Sequence, residues 1–443
     1  MKTYNRKMKK KISSSHLDSD VTKDVNNDVN NDVANPGQSI LATLGGMSVD
    51  EFMSVYWHRK PLLIRQAMPN FRSPISPDEV LDVAFTDEAQ ARLIRKSIKP
   101  SGDSWRLDHA PLDFIPSLKT KNWTVLLQGA DTEWDSIAKL LGQFRFIADA
   151  RLDDLMISVA SDGGGVGPHI DSYDVFLLQA HGRRHWRWGK PKNAQATLVP
   201  DQPLKILQNF TPTSEATLAP GDLLYLPPGF AHDGVAQGVC MTFSIGFRSA
   251  SRKELTSDFL GRIASDAVLG NLATQRLKDD CRKAASNPAK LPDTLREGYS
   301  EWLKAWRPTQ AQINQFLGEH LSEPRASVVF DPPKRGGQLG RSALTKFKDG
   351  ALKNGLRLHR SSRALFDKTS LFINGEAYQS RSKPLRQFFN QRYLSSADFN
   401  DVVAKASATS ASTTSESTNN RLTSADWDLL LSWHGNGWLN IGV

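Results

Sequence analysis

Residues 163 to 189 read GGGVGPHIDSYDVFLLQAHGRRHWRWG, and this stretch decides the fold of the 443-residue chain. A glycine-rich loop leads to His169 and Asp171, and short apolar runs follow them. Alternate side chains of a β-strand project from the same face. A strand at this position therefore points an imidazole and a carboxylate in one direction, where both can bind one metal ion. A lone pair of this kind is often a chance occurrence, so further ligands are needed.

A third ligand is available in residues 220 to 232, which read PGDLLYLPPGFAH. The apolar run predicts a strand, the proline-glycine sequence predicts a turn, and His232 follows the turn. Two histidines and one carboxylate on one face leave open coordination positions, as in non-haem Fe(II) oxygenases. A structural zinc site is instead closed, usually by thiolates, and the chain has only two isolated cysteines, Cys240 and Cys281.

Short apolar runs separated by glycine and proline predict a β-rich core between about residues 123 and 247. The predicted strands are LMISVA, DVFLLQA, RHWRW, DLLYL and VCMTFSIGF, which together suit a sandwich or barrel. Before this region, KPLLIR predicts a further short strand. Ser48 followed by Glu51 is typical of a helix N-terminus with a capping box.

The rest of the chain has a different pattern. Residues 1–38 are polar and predict a disordered extension. Apolar positions at helical spacing, among them Leu255, Phe259 and Ile263, predict a helical segment from residue 251 to about 320. The run LFINGEAYQ contains an Asn-Gly pair that predicts a β-hairpin. The serine- and threonine-rich run from Ser407 to Asn420 predicts a flexible insertion.

Bulk properties narrow the functional classes. The length predicts two or three domains. No run approaches the roughly 20 apolar residues that span a bilayer, and no apolar segment follows the basic N-terminus, so we expect neither membrane insertion nor secretion. Two cysteines favour the reducing cytoplasm. The net charge of +9 suits a nucleic-acid partner but does not require one.

Residues 39 to 248 resemble the JmjC-domain oxygenases and, among these, the bacterial ribosomal oxygenases that hydroxylate an arginine of large-subunit ribosomal protein L-sixteen. The matching stretches are FMSVYWHRKPLLIRQA, DDLMISVASDGGGVGPHIDSYDVFLLQAHGRRHWRWG, GDLLYLPPGFAHDGVA and FSIGFR. The resemblance implies the α+β class, with a double-stranded β-helix (cupin/JmjC) core at 39–250, a helical dimerisation segment at 251–325 and a winged helix at 326–443. The extension 1–38 and the insertion 405–420 depart from the family.

The resemblance also implies roles for individual residues. His169, Asp171 and His232 become the Fe(II) ligands, and 2-oxoglutarate and O2 become co-substrates. Arg184, two positions after Gly182, becomes the partner of the far carboxylate of 2-oxoglutarate, a role that suits a guanidinium. Strand alternation puts Arg184 on one face with two tryptophans, and Arg183 and Arg187 on the other. Hydroxyl groups that can assist Arg184 are Ser158, Thr242 and Ser244.

The implied reaction is hydroxylation of a C–H bond in a ribosomal protein by a homodimer. Carboxylates at the mouth of the site suit an arginine substrate, and the candidates for substrate contact are Asp162, Tyr173, Asp174 and Asp233. Two alternatives stay open. Demethylation of methyl-lysine uses the same iron chemistry, and a winged helix can instead bind nucleic acid without catalysis.

Overall fold

The computed structural model describes residues 44–100, 102–191, 197–248, 250–265, 289, 291–305, 307–333, 341–399 and 422–442. The predictions made for residues 1–38, for Cys281 and for the insertion 405–420 lie outside the described residues. All described residues belong to one compact unit of the chain, Pro36–Val443. No helix in the described part has the length and apolar character needed to cross a membrane.

The first elements supply strands to both ends of the large sheet. In chain order they are α1 (Val49–Val55), β1 (Leu62–Ile64), α2 (Pro77–Ala84), β2 (Ala91–Ser97), β3 (Ser104–His109), β4 (Trp123–Leu127) and α3 (Asp135–Gly142). Ser48 caps α1 as predicted, because its hydroxyl accepts the backbone N–H of Glu51 at 3.1 Å. The predicted strand in KPLLIR is β1, which pairs with β9.

The central strands complete a large antiparallel sheet. They are β5 (Leu152–Ala160), β6 (His169–Ile170), β7 (Val175–Gly189), β8 (Ser214–Leu218), β9 (Leu223–Leu226) and β10 (Ala231–Phe247). The order along the sheet is β1-β9-β7-β10-β5-β4-β2-β3, while β6 also pairs with β10 and β8 with β7. The β-rich core that the sequence predicted is therefore present, and its strands pair antiparallel.

Two strands are longer than predicted. DVFLLQA and RHWRW belong to one strand, β7, and His232 lies on the same strand as VCMTFSIGF, β10. The two strands stay paired from Val175 opposite Gly246 to Gly189 opposite Ala231, with irregular register near the middle. Gly182 allows this continuity: its φ is 62°, and a Cβ there would lie 2.1 Å from the carbonyl oxygen of Val239. The glycine bends the strand without ending it.

An aromatic cluster anchors α1 to the sheet. Phe52 on α1 is fully buried. Its ring lies within 6.3 Å, centroid to centroid, of the rings of Tyr56, Trp57, Phe146, Phe176 and Tyr225. Burial of aromatic surface at this density contributes a large part of the stability of a core.

The helical segment folds back on its own chain. Its described helices are α4 (Arg252–Ser265), α5 (Asp293–Ala305) and α6 (Gln310–Ser322). Phe259 on α4 packs edge-on against Phe316 on α6, with ring centroids 5.1 Å apart. Gly318 on α6 lies so close to Phe372 of the C-terminal domain that a Cβ would approach its ring to 2.5 Å. The α6 helix therefore joins α4 to the C-terminal domain, across the boundary predicted at residue 325.

The C-terminal domain has its own buried core. It contains α7 (Arg341–Asn354), β11 (Leu356–Leu358), β12 (Ala364–Phe366), β13 (Ser370–Ile373), β14 (Glu376–Gln379), α8 (Lys383–Gln391), β15 (Tyr393–Leu394), α9 (Ser424–Gly435) and β16 (Leu439–Ile441). The Asn374-Gly375 turn joins β13 to β14 with φ angles of 50° and 86°, which confirms the predicted hairpin. Helices around small antiparallel sheets agree with the winged-helix prediction.

Arginine side chains join the C-terminal half to the catalytic sheet. Each donates to a carboxylate or carbonyl on the other side: Arg145 to Asn390, Arg360 to Asp135, Arg363 to Asp153 and Arg325 to Asp131. Arg325 and Asp131 are both largely buried, so this contact is shielded from solvent. The two halves of the unit therefore meet through specific polar contacts.

Replacing Phe52 with Ala should lower the free energy of unfolding by about 3–5 kcal/mol, because the cavity left among five aromatic rings cannot close. Phe114→Ala is the matched control, since Phe114 is 60% exposed and its loss should cost less than about 0.5 kcal/mol. Thermal melting followed by circular dichroism compares the two. Equal melting temperatures would contradict the central role of the cluster.

Candidate active site

The two predicted histidine ligands face each other across a pair of antiparallel strands. His169 on β6 is the register partner of His232 on β10, and their ring centroids lie 4.2 Å apart. Asp171 was predicted to share a strand with His169, but β6 ends at Ile170. The carbonyl of Asp171 accepts the backbone N–H of Gly229 at 3.0 Å, which ties this residue to the turn before His232.

The three side chains converge on one point. The Oδ2 atom of Asp171 lies 3.9 Å from Nε2 of His169 and 3.6 Å from Nε2 of His232. One ligand atom of each residue lies within 4.8 Å of the others, which suits simultaneous binding of a single metal ion. Asp171 therefore reaches the two histidines from the turn that follows β6, and not from the strand that the sequence predicted.

Backbone carbonyls fix the tautomer of both histidines. The Nδ1 of His169 donates to the carbonyl of Gly167 at 2.9 Å, and the Nδ1 of His232 donates to that of Phe230 at 3.2 Å. The proton on Nδ1 leaves each Nε2 with a free lone pair, as metal ligation requires. Burial, together with nearby His169, lowers the pKa of His232 to about 3, so this imidazole stays neutral.

The donor set fits Fe(II). Burial raises the pKa of the Asp171 carboxyl, whereas nearby His169 and the Tyr173 hydroxyl lower it. A divalent cation supplies the positive charge that stabilises the ionised carboxylate. His169, Asp171 and His232 would hold the ion with two imidazole nitrogens and one carboxylate oxygen, the donor set of non-haem Fe(II) oxygenases.

A cavity of about 380 Å³ opens beside these residues and contains Arg184 in its wall. Arg184 is only 4% exposed, and its Nη1 donates to the hydroxyls of Ser158 at 2.8 Å and Thr242 at 3.2 Å. Its Nε is buried without a hydrogen-bond partner. Within the described part of the chain no carboxylate pairs with this guanidinium, so it is suited to an anionic ligand.

Burial along β7 separates Arg184 from the neighbouring arginines. Arg184, Trp186 and Trp188 are buried, whereas Arg183 is exposed. Arg187 pairs with Asp233 at 2.5 Å. The predicted alternation is confirmed, and Arg184 is the arginine of this run that lines the cavity. Ser244 also lines the cavity, although its hydroxyl makes no described contact with Arg184.

The four predicted substrate-contacting residues have different surroundings. Tyr173 lines the cavity and is 38% exposed. Asp162 is outside the cavity lining, where it accepts the N–H of Gly238 and pairs with Lys121. Asp233 is buried and lines a second cavity, to which the glycine-rich loop also contributes.

The prediction for Asp174 is wrong. This residue is only 1% exposed and does not line the cavity. Its carboxylate accepts the hydroxyl of Tyr225 and lies 2.7 Å from Nδ1 of His58. Asp174 therefore joins the chain between α1 and β1 to the sheet, and its role is structural.

Five polar residues of the cavity wall were not predicted: Arg92, Gln128, Asp153, Asp154 and Lys205. Asp154 shares a face of β5 with Met156 and Ser158, which also line the cavity. Alternation counted back from Ser158 would have identified it. Burial raises the pKa of the Asp154 carboxyl to about 6, although nearby Arg325 opposes this shift.

Comparison with known proteins places this geometry in a family. Residues 139–255 match the model of a JmjC domain, and residues 304–414 match a ROXA-like winged helix. The chain is 32% identical over 359 residues to the Ribosomal protein uL16 3-hydroxylase of Escherichia coli strain K12, covering 80% of this chain and 91% of that protein. It is 36% identical over 199 residues to a Probable ribosomal oxygenase of Haemophilus influenzae, covering 44% of this chain and 48% of that protein.

A solved structure agrees over nearly the same extent. YcfD, a ribosomal oxygenase from Escherichia coli in complex with cobalt and 2-oxoglutarate, superposes with a TM-score of 0.70 at 28% identity, covering 89% of this chain and 98% of that one. The fold class predicted from the sequence, with its JmjC core and C-terminal winged helix, is confirmed. The chain therefore belongs to the ribosomal oxygenases, a family of JmjC-domain, 2-oxoglutarate-dependent oxygenases.

Proposed function

We propose that this protein hydroxylates an arginine side chain of its own ribosomal protein uL16, using Fe(II), 2-oxoglutarate and O2. The observation that carries the proposal is a triad suited to metal binding beside a buried guanidinium that has no anionic partner among the described residues. The relative from Escherichia coli that spans most of the chain is named for hydroxylation of uL16. Together these features favour a catalytic role over a purely binding one.

His169, Asp171 and His232 hold the metal in this proposal. When bound, Fe(II) couples the oxidative decarboxylation of 2-oxoglutarate to succinate and CO2 with insertion of one oxygen atom into a substrate C–H bond. The Nδ1 contacts with the carbonyls of Gly167 and Phe230 keep both imidazoles oriented toward the ion. The chain therefore contributes a preorganised set of ligands with one side left open.

Arg184 holds the far end of 2-oxoglutarate. Its guanidinium pairs with the distal carboxylate, and the Ser158 and Thr242 hydroxyls that orient Nη1 lie close enough to assist. Trp186 packs beside the guanidinium, with the arginine Cζ 5.5 Å from the ring centroid. These neighbours exclude water from the pair, which strengthens it.

The aromatic residues of the cavity favour hydroxylation over demethylation of methyl-lysine. A cage for a methylated ammonium needs several ring faces open to the ligand. Trp186 and Phe247 line the cavity but are only 5% and 2% exposed, whereas Tyr173 is 38% exposed. A single open ring among the described lining residues does not make a cage. Direct nucleic-acid binding by the C-terminal domain stays a prediction.

Exposed leucine side chains on the helical segment favour a homodimer. Leu260 on α4, Leu303 on α5 and Leu291 just before α5 are 46–66% exposed within one chain. Burial of such residues against a second copy of the same segment would remove apolar surface from water. We therefore propose that this segment is the interface between two copies.

Light scattering should give about twice the chain mass of 49.2 kDa at micromolar concentration. Leu303→Glu should shift the mass toward that of one chain, because it puts a charge into the proposed interface. Phe114→Glu, a change of an exposed residue outside the helical segment, should leave the mass unchanged. A wild-type mass of one chain would contradict the proposed dimer.

The wild-type enzyme with Fe(II) and 2-oxoglutarate should add one oxygen atom to a uL16 peptide, on arginine, and this is measured by mass spectrometry. Asp171→Ala should abolish that product and lower the iron content, because only two neutral ligands remain. The melting temperature of this variant should stay close to that of the wild type. A product formed only from a methyl-lysine peptide, by loss of a methyl group, would favour demethylation.

Asp174→Asn is the control for Asp171→Ala. It should keep iron but lose about 1–3 kcal/mol of stability, because a buried network with Tyr225 and His58 is weakened. Asp171→Ala should therefore lose iron and keep its melting temperature, whereas Asp174→Asn should keep iron and melt at a lower temperature. Retention of iron by Asp171→Ala and its loss by Asp174→Asn would show that the ligand assignment is wrong.

Arg184→Ala should raise the 2-oxoglutarate concentration needed for half-maximal succinate formation much more than it changes iron content. Removal of one partner of a buried charge pair costs about 2–5 kcal/mol of binding. Arg183→Ala is the matched control, because this neighbour on the same strand is exposed. An unchanged 2-oxoglutarate requirement in Arg184→Ala would contradict the proposed role.

A further inference from the structure

The loop that precedes the metal ligand His169 contains four glycines between residues 163 and 168. Glycine adds conformational freedom, so such a loop does not keep a fixed course by itself. Its first half is bound to β10, because Gly163 donates to the carbonyl of Ala236 at 3.0 Å and Gly164 accepts the N–H of Ala236 at 2.9 Å. The second half, residues 166–168, makes no backbone hydrogen bond to β10 among the described residues. Other parts of the chain must therefore hold it.

Gly167, in this second half, carries the carbonyl that orients His169. The carbonyl accepts Nδ1 of His169 at 2.9 Å, which leaves Nε2 available for a metal ion. The pairing of β6 with β10 fixes the backbone of His169, but the direction of the ring also depends on this hydrogen bond. A displacement of Gly167 would therefore turn or release the imidazole.

Two side chains fill the space beside the α-carbon of Gly167. Its φ is 80°, and a Cβ built there would lie 2.7 Å from Cδ1 of Ile206 and 3.1 Å from Cζ2 of Trp105. Ile206 is only 2% exposed and lines both the catalytic cavity and the second cavity, whereas Trp105 lines the second cavity. The loop cannot shift toward these side chains without displacing a buried group.

The segment that carries Ile206 is bound to the loop and to β3. The N–H of Leu207 donates to the carbonyl of Pro168 at 2.8 Å, directly before the metal ligand. The N–H of Trp105 on β3 donates to Oε1 of Gln202 at 2.9 Å. Backbone and side-chain contacts therefore place Ile206 and Trp105 on opposite parts of one support for the loop.

We propose that Ile206, assisted by Trp105, is a positioning residue of the metal centre, because it keeps the carbonyl of Gly167 on Nδ1 of His169. The inference rests on the proposed function, since it concerns the metal ion that this function requires. A role in packing alone would make loss of the Ile206 side chain costly for stability. It would not link the Cδ1 atom of this side chain to the affinity for a metal.

The test measures the affinity of the full-length protein for Co(II) alone, without 2-oxoglutarate or peptide, by calorimetry. The visible absorption of the bound ion reports its coordination geometry. Gly167→Ala adds the Cβ that would collide with Ile206, and Ile206→Val removes the Cδ1 atom that this Cβ would meet. A double variant combines the two changes.

Two controls separate this contact from general effects. Gly46→Ala reproduces the backbone strain, because Gly46 has a φ of 82° and no described atom within 4 Å of a Cβ built there. Ile157→Val reproduces the loss of a buried methyl group, because Ile157 on β5 is fully buried and lines neither cavity. Both controls should keep the affinity and the absorption of the wild type, and melting temperatures report any loss of stability.

Gly167→Ala should weaken Co(II) binding about tenfold or more, because the added methyl group displaces the carbonyl that orients His169. Ile206→Val alone should weaken it by a smaller factor, since the space beside Gly167 is then incompletely filled. In the Gly167→Ala background the same change should instead strengthen Co(II) binding, because it relieves the collision. Such a change of sign requires direct contact between the two positions.

Wild-type Co(II) affinity in Gly167→Ala would overturn the inference while the proposed function stands. An equal weakening by Ile206→Val with and without the added methyl group would do the same. If Gly167→Ala does not fold, Ile206→Val still decides the question, because Co(II) binding as tight as that of Ile157→Val would overturn the inference. If the wild type bound no Co(II), the proposed function would fail and the inference with it.

Discussion

The register between β6 and β10 is the constraint on which the catalytic arrangement depends. It places His169 opposite His232, and the backbone contact between Gly229 and Asp171 adds the carboxylate to the pair. A slip of one residue would turn every side chain of a strand to the other face. Because β10 also pairs with β5 and β7, the register of the ligands is set by the whole sheet and not by the two-residue strand β6.

Structural features that depend on a few neighbouring residues were mostly predicted from the sequence. Strand alternation identified Arg184 as the inward arginine, and the Asn-Gly pair identified the hairpin of β13 and β14. Apolar runs alone divided β7 and β10 into pieces, because a glycine with positive φ resembles a strand end in sequence. Continuity there depends on cross-strand hydrogen bonds, which residue composition does not reveal.

Long-range contacts explain the error at Asp174 among the substrate candidates. Asp174 is close to Asp171 in sequence, yet its partners His58 and Tyr225 are 116 and 51 residues away. No local periodicity distinguishes a carboxylate in such a network from one that faces a ligand. Asp154 shows the opposite case, since alternation from Ser158 would have identified it as a residue of the cavity wall.

A buried charge without a partner costs free energy of folding, so its position indicates a ligand-binding site. The Nε of Arg184 is buried without a hydrogen-bond partner, which reduces the stability of the fold. The aromatic core around Phe52 can offset this loss, but it does not explain its position. Arg325 and Arg363 from the C-terminal half donate to Asp131 and Asp153, and Asp153 lines the cavity. Docking of that half therefore stabilises the wall that holds Asp154, which gives a physical reason for the oxygenase core and the C-terminal domain to occur in one chain.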